Sequence, residues 1–264
     1  MKKENQKNIP VVILCGGMGT RLREETEYKP KPMVEIGGRP VIWHIMKIYS
    51  SFGYKRFILC LGYKGSHFKD YFLNYEAISN DFAIKLGNKS EIFYLNNHEE
   101  QDFEVNLVDT GLYTMTGGRI KRIEHLIDTD TFMLTYGDGL ADVNIDQLVS
   151  FHFSHGKMAT LTATKSPSRY GVIDLQQTNE VTEFREKVQI DWINGGFLVL
   201  NKKVFKYLND NSIFEKEPME NLAKDGQLMG FRHEGFWIGM DTYREYEMLN
   251  KMWDSGEIPW KVWK

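Results

Sequence analysis

"LCGGMGTRLREETEYKPKPMVEIGG", residues 14–38, begins at the end of an apolar run, VVIL, near the start of the chain. Three glycines within four positions follow this predicted strand, and the segment then supplies Thr20, Arg21 and a lysine between two prolines, Lys31. A simple turn would need one or two glycines, whereas closely spaced glycines let the backbone approach a ligand. The cations beside them indicate an anionic ligand, and we expect a polyphosphate.

Length and composition predict a globular α/β protein that binds small molecules. The chain has 264 residues, 42% of them hydrophobic, which is enough for one large domain. Its net charge of -3 and the lack of Lys/Arg runs argue against nucleic-acid and membrane-surface partners. Cys15 and Cys60 each end an apolar run, so we expect buried free thiols and a cytoplasmic location. No run of 18 apolar residues or signal-like segment is present.

Strand-like and helix-like segments alternate over the first 160 residues or so. VVILC and RFILCL are typical of buried strands, and VIWHIMKIYSSFG between them has helical spacing. This alternation predicts an α/β fold with a mostly parallel central sheet and helices on both faces. Later, YGVIDL, VTEFRE and INGGFLVL predict a smaller mixed or antiparallel part. We expect one domain, 1–264, with a nucleotide-binding half at about 9–160 and a second half with the C-terminal helices at about 161–264.

The glycine loop matches neither of two common phosphate-binding motifs. A Walker loop needs a second glycine five positions after the first, but the fifth position after Gly16 is Arg21. The Rossmann fingerprint fails as well, because Gly17 and Gly19 are followed at the required position by Leu22. Taken alone, the glycines leave open an ordinary turn with solvated cations.

A set of motifs occurs in one order along the chain: LCGGMGTRL, KPKPMVEIGG, TGGR, YGDG, FREK, NGGF and GFWIGMDT. In this order and at closely similar spacing, the set resembles the sugar-1-phosphate nucleotidylyltransferase family over nearly the whole chain. Further stretches, LVDTG, HGKMATLTAT and WDSGEIPWKVWK, resemble the members that use CTP. The resemblance implies the Rossmann-like fold of nucleotide-diphospho-sugar transferases, with the sugar bound by the second half, and assembly as a homo-oligomer.

The resemblance also implies a reaction in which CTP and a sugar 1-phosphate, with glucose 1-phosphate favoured, give CDP-glucose and pyrophosphate. The attacking phosphate oxygen is already ionised at neutral pH, so the main task is to hold two polyanions in line. Another sugar, or UTP or dTTP in place of CTP, remains an alternative. A metal-dependent glycosyltransferase has no reason to carry GGMGTR with Lys31, and a non-catalytic nucleotide-binding homologue would be expected to lack the cations or the carboxylates named below.

The resemblance assigns nucleotide and catalytic roles to specific residues. The catalytic cations are Arg21, Lys31 and Lys187. The nucleotide-binding residues are Leu14, Gly16, Gly17, Gly19, Thr20, Arg21, Lys31, Thr110, Gly117, Gly118, Arg119 and Asp138. Arg119 is the candidate for reading the base, because its planar donors suit the acceptors of cytosine.

Sugar-phosphate and metal roles follow from the same motifs. The sugar-phosphate residues are Tyr170, Gly171, Glu186, Lys187, Asn194 and Gly195. Asp138 and Asp241 are the expected Mg²⁺ ligands, since Mg²⁺ is commonly held by one or two carboxylates together with phosphate oxygens. A turn role for Asp138 and a helix-capping role for Asp241 are the alternatives.

The chain departs from the family pattern in its second half. Val188 replaces a usual proline, the segment up to Asn194 is about two residues short, and Ile238-Gly239 stands where Gln-Pro is common. These departures leave the identity of the sugar open.

Histidines and tryptophans outside the motifs have simpler interpretations. His152 and His155 lack an evident third metal ligand, and we expect solvated helix histidines. The C-terminal tryptophans, Trp253, Trp260 and Trp263, are expected to pack back onto the domain.

Overall fold

A computed structural model describes residues 7–19, 22–87, 91–167, 172–176, 178, 180–185 and 189–264. The predicted site residues that lie outside this part of the chain are Thr20, Arg21, Tyr170, Gly171, Glu186 and Lys187.

Within these residues the strands are β1 (Val11–Leu14), β2 (Glu35–Ile36), β3 (Arg39–Pro40), β4 (Arg56–Leu61), β5 (Phe82–Ile84), β6 (Ile92–Tyr94), β7 (Glu104–Asp109), β8 (Thr131–Tyr136), β9 (Gly139–Ala141), β10 (Ala159–Pro167), β11 (Val172–Leu175), β12 (Val181–Arg185), β13 (Gln189–Asn201), β14 (Leu228–His233) and β15 (Trp237–Gly239). The α-helices are α1 (Arg23–Thr26), α2 (Val41–Ser51), α3 (Gly65–Leu73), α4 (Tyr75–Ser79), α5 (Thr116–Arg122), α6 (Ile145–His155), α7 (Glu217–Lys224) and α8 (Tyr243–Ser255). Short 3-10 helices cover Lys31–Met33, Glu124–Leu126 and Lys202–Tyr207.

The central sheet has seven strands in the order β14-β10-β13-β8-β1-β4-β7. Strand β1 lies between β4 and β8 and is parallel to both, and β7 extends this parallel set. Strands β10 and β14 are also parallel to each other, while β13 runs antiparallel to β8 and β10. The predicted mostly parallel α/β sheet is therefore confirmed. In such sheets a ligand crevice forms at the carboxyl ends of the strands.

Strand β1 contributes to a core on each face of the sheet. Val11 and Ile13 pack with residues of α2, α6 and α8 on one face. Val12 and Leu14 pack with residues of α5 and α7 on the other. A strand buried on both faces needs an unbroken apolar run, which is the pattern that VVIL shows. The prediction of helices on both faces is confirmed.

The prediction for INGGFLVL was wrong in one respect. The stretch belongs to β13, which lies in the middle of the central sheet and not in a smaller insertion. Phe197 and Leu198 are fully buried, as expected of a central strand. Strands β11 and β12 form an antiparallel pair outside the central sheet. The sheet therefore runs across both predicted halves of the chain, and the boundary near residue 160 stays a prediction.

The tryptophans of the C-terminus surround a buried histidine. Trp253, Trp260 and Trp263 lie around the ring of His44, and Trp260 is fully buried, so the predicted packing is confirmed. The His44 Nε2 lies 2.9 Å from the carbonyl oxygen of Ile36, and its Nδ1 accepts a hydrogen bond from the Trp260 indole. This pattern requires a neutral ring. Burial lowers the pKa of His44 to about 4.

The expectation of solvated helix histidines was wrong for His152. Its side chain is buried, and both His152 Nδ1 and His155 Nε2 contact the hydroxyl of Thr160, at 2.8 and 2.7 Å. Burial lowers the pKa of His152 to about 4. The pair joins α6 to β10, and no third metal-ligating side chain gathers there in the described part of the chain.

Acid should destabilise the protein partly through His44. Above pH 6.5 this histidine is neutral in the folded and unfolded states. Below that pH the unfolded chain binds a proton that the buried ring takes up only near its pKa of about 4. The free energy of unfolding therefore falls as the pH is lowered. At pH 5 the loss from His44 is about 2 kcal/mol. Urea unfolding at pH 7.5 and pH 5 should show a smaller pH effect in His44→Gln than in the wild type, and equal effects would contradict this assignment.

Candidate active site

A cavity of about 530 Å³ opens at the carboxyl ends of β1 and β8. The structure brings eight of the predicted site residues to its wall: Leu14, Gly16, Gly17, Gly19, Lys31, Arg119, Asp138 and Asp241. They come from segments spread over more than 220 positions of the chain, gathered where β1 lies between its two parallel neighbours. This is the crevice where open α/β sheets bind ligands.

The glycine loop follows β1 and forms one wall of the cavity. Gly17 is exposed, and a Cβ built on it would meet no atom within 4 Å, so its backbone is open to a ligand. Gly19 has a φ of +62°, which favours glycine, and its carbonyl oxygen accepts a hydrogen bond from the Thr26 hydroxyl at 2.9 Å. The loop is thus tied to α1 while its tip faces the cavity.

Lys31 joins the two predicted metal ligands. Its Nζ lies 2.6 Å from Asp138 Oδ2 and 2.8 Å from Asp241 Oδ1, and the lysine side chain is 12% exposed. Burial acts to lower the pKa of Lys31, but the charges and hydrogen bonds of the two aspartates outweigh it and leave the pKa raised. The ammonium therefore stays charged between the two carboxylates.

Close packing explains why Lys31 reaches Asp138. The Gly137 N–H donates to the Leu14 carbonyl at 3.1 Å, which joins the ends of β8 and β1. A Cβ on Gly137 would lie 2.6 Å from Pro32 Cγ, so only glycine lets the proline approach this closely. The prolines around Lys31 hold the backbone in place. The KPKP and YGDG motifs are therefore complementary packing surfaces as well as carriers of charge.

Strand pairing brings Asp241 to the same place. Strand β15 pairs with β9 so that Gly239 lies opposite Gly139, and the Met240 N–H donates to the Asp138 carbonyl at 2.9 Å. Thr242 caps α8 with a capping box, so Asp241 is the residue before the cap, where its carboxylate faces Lys31. The helix-capping role, which was the alternative for Asp241, is performed by Thr242.

These two carboxylates fit a divalent cation. Both contact one positive charge, the Lys31 ammonium, which occupies a point shared by both side chains. Within the described ranges no group of three or more His, Cys, Asp or Glu side chains could hold a metal. Two carboxylates that leave further positions for phosphate oxygens and water match Mg²⁺ chemistry.

Arg119 has a different environment from the one predicted. Its side chain is buried, and its terminal nitrogens donate to five protein oxygens at 2.8–3.2 Å: Leu61 O, Thr110 Oγ1, Gly111 O, Gly16 O and Leu112 O. Two terminal nitrogens carry four N–H groups, so each of these has a protein acceptor. This environment favours a structural role for Arg119 over the predicted base-reading role.

The structure does not bring Thr110, Gly117 or Gly118 to the cavity wall. Thr110 is fully buried, and its hydroxyl donates to the Leu61 carbonyl at 2.7 Å. Side chains on Gly117 and Gly118 would clash with the chain at Ser212 and Asp210. These glycines let α5 pack closely against that segment, and their contact with a nucleotide stays a prediction.

Of the predicted sugar residues, the structure describes Asn194 and Gly195, and Asn194 contacts the cavity residue Tyr136. The Asn194 side-chain amide lies 3.4 Å from the Tyr136 hydroxyl, and its Oδ1 accepts from the Gly196 N–H at 3.0 Å. The Gly195 carbonyl accepts from the Trp237 indole at 2.7 Å. Asn194 thus contacts a residue of the cavity wall, Tyr136. The backbone of Gly195 instead holds the Trp237 side chain.

Tyr136 is a cavity residue that sequence reasoning missed. It lines the cavity, and its hydroxyl donates to Glu215 at 2.6 Å. Burial and the Glu215 charge raise the pKa of Tyr136, so the hydroxyl stays protonated. Glu215 also accepts from the Thr116 hydroxyl at 2.6 Å. Its position in the sequence could have identified it as a site residue, because Tyr136 is the last residue of β8, directly before Gly137 and Asp138.

The segment before α5 was also missed. Leu112, Tyr113 and Met115 line the cavity although they are 44%, 80% and 45% exposed. Exposed apolar side chains at a cavity mouth suit contact with a planar ring. The sequence signal was the stretch LYTM, with three large apolar or aromatic residues in a loop between a strand and a helix.

Comparison with known proteins shows the family of the chain. The nucleotidyl transferase family model matches residues 10–242. The glucose-1-phosphate cytidylyltransferases of Salmonella typhi and Salmonella typhimurium are each 49% identical over 258 residues, covering 96% of this chain and 99% of theirs. The crystal structure of HddC from Yersinia pseudotuberculosis has a similar fold, with a TM-score of 0.69 at 23% identity, covering 93% of this chain and 99% of that one. The chain belongs to the nucleotidyl transferase family.

Removing the Lys31 charge should destabilise the site. In Lys31→Met the carboxylates of Asp138 and Asp241 lose their shared partner, and we expect the free energy of unfolding in a chelating buffer to fall by about 1 to 3 kcal/mol. Mg²⁺ should then stabilise the variant more than the wild type, because the position between the carboxylates is no longer taken by an ammonium. Urea unfolding with and without Mg²⁺ measures both effects.

The matched control is Lys29→Met. Lys29 makes a salt bridge of 2.5 Å to Glu35 on the exposed surface, and its loss should change the free energy of unfolding by less than about 1 kcal/mol. An equal Mg²⁺ response in the wild type, Lys31→Met and Lys29→Met would contradict a cation site between the two aspartates.

Proposed function

We propose that the protein transfers a cytidylyl group from CTP to a sugar 1-phosphate, with glucose 1-phosphate as the acceptor, giving CDP-glucose and pyrophosphate. The observation that carries the proposal is the Lys31 ammonium between Asp138 and Asp241, beside a glycine loop that opens onto the cavity. CTP and glucose 1-phosphate are supported by the relatives that are 49% identical over nearly their full length.

The residues act by holding two anions together. The sugar phosphate oxygen forms a bond to the α-phosphorus of CTP, and the bond from that phosphorus to the bridging oxygen of the pyrophosphate group breaks. The attacking oxygen is already ionised, so no general base is needed. Lys31 would neutralise charge on the triphosphate, and Gly17 would allow its close approach. Arg21 and Lys187, which lie outside the described residues, are proposed as further cations, on the triphosphate and on the sugar phosphate.

The thiol nearest the cavity is not suited to act as a nucleophile. Cys15 lines the cavity, but burial raises the pKa of its thiol well above the usual value. Burial likewise raises the pKa of Cys60 to about 12. Both thiols stay protonated at neutral pH, and a direct transfer without a covalent intermediate needs neither.

Asp138 and Asp241 would hold the Mg²⁺. When bound, the ion would neutralise negative charge on the phosphates. Lys31 would then be free to donate to a phosphate oxygen while staying within reach of the carboxylates. The proposed roles of lysine and aspartates thus belong to one shared cluster of charges.

The proposed sugar-binding residues all lie in the second half of the chain. Glu186, Tyr170 and Gly171 are proposed sugar residues outside the described part of the chain, and Asn194 lies next to the cavity through Tyr136. Ile238 and Gly239, which replace a common Gln-Pro, belong to β15 and pair with β9. Strand pairing accommodates this departure from the family pattern. The departure therefore favours no other sugar phosphate over glucose 1-phosphate.

We also propose a homo-oligomer in the cytoplasm. The hairpin β5–β6 and its flanks expose Leu86, Phe93 and Leu95 by 88%, 63% and 69%. A two-stranded hairpin is marginally stable in water by itself, so cover by another copy would stabilise it.

The buried free thiols of Cys15 and Cys60 suit a reducing compartment. No helix in the described residues is long and apolar enough to cross a membrane.

A substrate panel tests the proposal. Each of CTP, UTP, dTTP and GTP is combined with glucose 1-phosphate, mannose 1-phosphate or galactose 1-phosphate in Mg²⁺, and pyrophosphate release is measured. We expect the highest kcat/KM with CTP and glucose 1-phosphate. Asp138→Asn should lower kcat by about two to three orders of magnitude, because it removes half of the carboxylate pair that would hold the Mg²⁺.

The alternatives give different results in the same panel. Turnover with only another sugar 1-phosphate would reassign the acceptor. No pyrophosphate release in any combination, with sugar transfer once a nucleotide sugar and an acceptor are added, would show a glycosyltransferase. Nucleotide binding without any turnover would show a non-catalytic homologue.

A further inference from the structure

We propose that Arg119 is a positioning residue that holds the phosphate-binding loop and the turn 110–112 in fixed relation to each other. The inference rests on the proposed function for the identity of the ligand, but its evidence is the set of contacts around one buried guanidinium. Arg119 extends from α5 to the cavity wall and donates to the carboxyl ends of three neighbouring parallel strands.

Each of these strand ends supplies an acceptor. The Gly16 carbonyl, after β1, accepts at 3.0 Å, and the Leu61 carbonyl, at the end of β4, accepts at 2.8 Å. The Gly111 carbonyl, after β7, accepts at 2.8 Å. Since β1, β4 and β7 are adjacent in the sheet, one side chain connects three consecutive strand ends.

The backbone leaves a slot that a guanidinium fills. A side chain on Gly16 would overlap the Arg119 guanidinium, and a Cβ on Gly62 would lie 2.5 and 2.7 Å from its two terminal nitrogens. Gly62 is close to Gly16 as well, because its Cβ would lie 2.8 Å from the Gly16 carbonyl oxygen. The first glycine of the GGMGTR motif is therefore required by Arg119, and Gly62 completes the slot.

The partners of Arg119 are neutral. Its terminal nitrogens donate to four carbonyls and the Thr110 hydroxyl. Burial lowers the pKa of Arg119, although a guanidinium remains protonated at neutral pH. Breaking these hydrogen bonds would leave a buried charge without partners, which has a high free-energy cost. The contacts therefore fix the segments that provide the acceptors. The phosphate side and the base side of the cavity are then set by one residue.

Two probes that each occupy one side distinguish positioning from base reading. Inorganic tripolyphosphate, bound with Mg²⁺, reports the phosphate loop and carries no base. Cytidine reports the base side and carries no phosphate. If Arg119 positions both walls, Arg119→Lys should weaken both probes by about 10-fold or more, since a lysine cannot reproduce the forked donors. If Arg119 reads the base, the variant should weaken cytidine and leave tripolyphosphate unchanged.

A second variant disturbs Arg119 without changing it. In Gly62→Ala the new methyl group enters the slot, and we expect it to reproduce the loss of affinity for both probes. The matched control is Gly230→Ala, because a Cβ at that position meets only Ala163 Cβ, at 3.8 Å. Dissociation constants come from calorimetry, and hydrogen–deuterium exchange at residues 15–19 and 109–113 gives a second readout that should increase in Arg119→Lys and Gly62→Ala but not in Gly230→Ala.

Weaker binding of both probes together with faster exchange in both segments supports the proposal. Loss of cytidine binding alone, or unchanged affinities in Arg119→Lys and Gly62→Ala, overturns it. Neither probe requires turnover, so the outcome is separate from that of the substrate panel. If Arg119→Lys does not fold, Gly62→Ala decides the question by the same two affinities.

Discussion

The Lys31 ammonium between the carboxylates of Asp138 and Asp241 is the interaction on which the rest of the site depends. Three segments of the chain meet there. Gly137 lets Pro32 approach Asp138, and the pairing of β15 with β9 brings Asp241 into place. The result is a compact cluster of one cation and two anions at the edge of a cavity. Such a cluster can accept a divalent cation and a polyphosphate by exchanging partners, without leaving a charge uncompensated.

Local sequence patterns predicted the frame of this site well. The run VVIL has the composition of a strand buried on both faces, and the glycines after it end that strand at the cavity. Asp138 and Asp241 lie far apart in the chain, so no local pattern shows that they meet. Their pairing was predictable because the order of motifs resembles a known family, which carries three-dimensional information that periodicity does not contain.

What the sequence could not show is which partner each motif residue selects across the chain. Arg119 and Gly16 are 103 positions apart, and nothing local indicates that a guanidinium fills the space beside that glycine. The same limit applies to Gly117 and Gly118, whose neighbours Ser212 and Asp210 come from a distant segment. Strand β13 was misplaced for a related reason, because apolar content predicts burial but not the position of a strand in a sheet. Gly16, Gly117 and Gly118 of these motifs therefore mark tight packing, whereas Gly17 marks an open backbone.

Diffraction from crystals soaked with Mn²⁺ and CTP would show where the cation binds, since Mn²⁺ can replace Mg²⁺ and scatters anomalously. We expect one anomalous peak between the carboxylates of Asp138 and Asp241, with the Lys31 ammonium moved from that point toward a phosphate oxygen. A bound nucleotide whose Mn²⁺ lies away from both aspartates, with Lys31 still bonded to both, would contradict it.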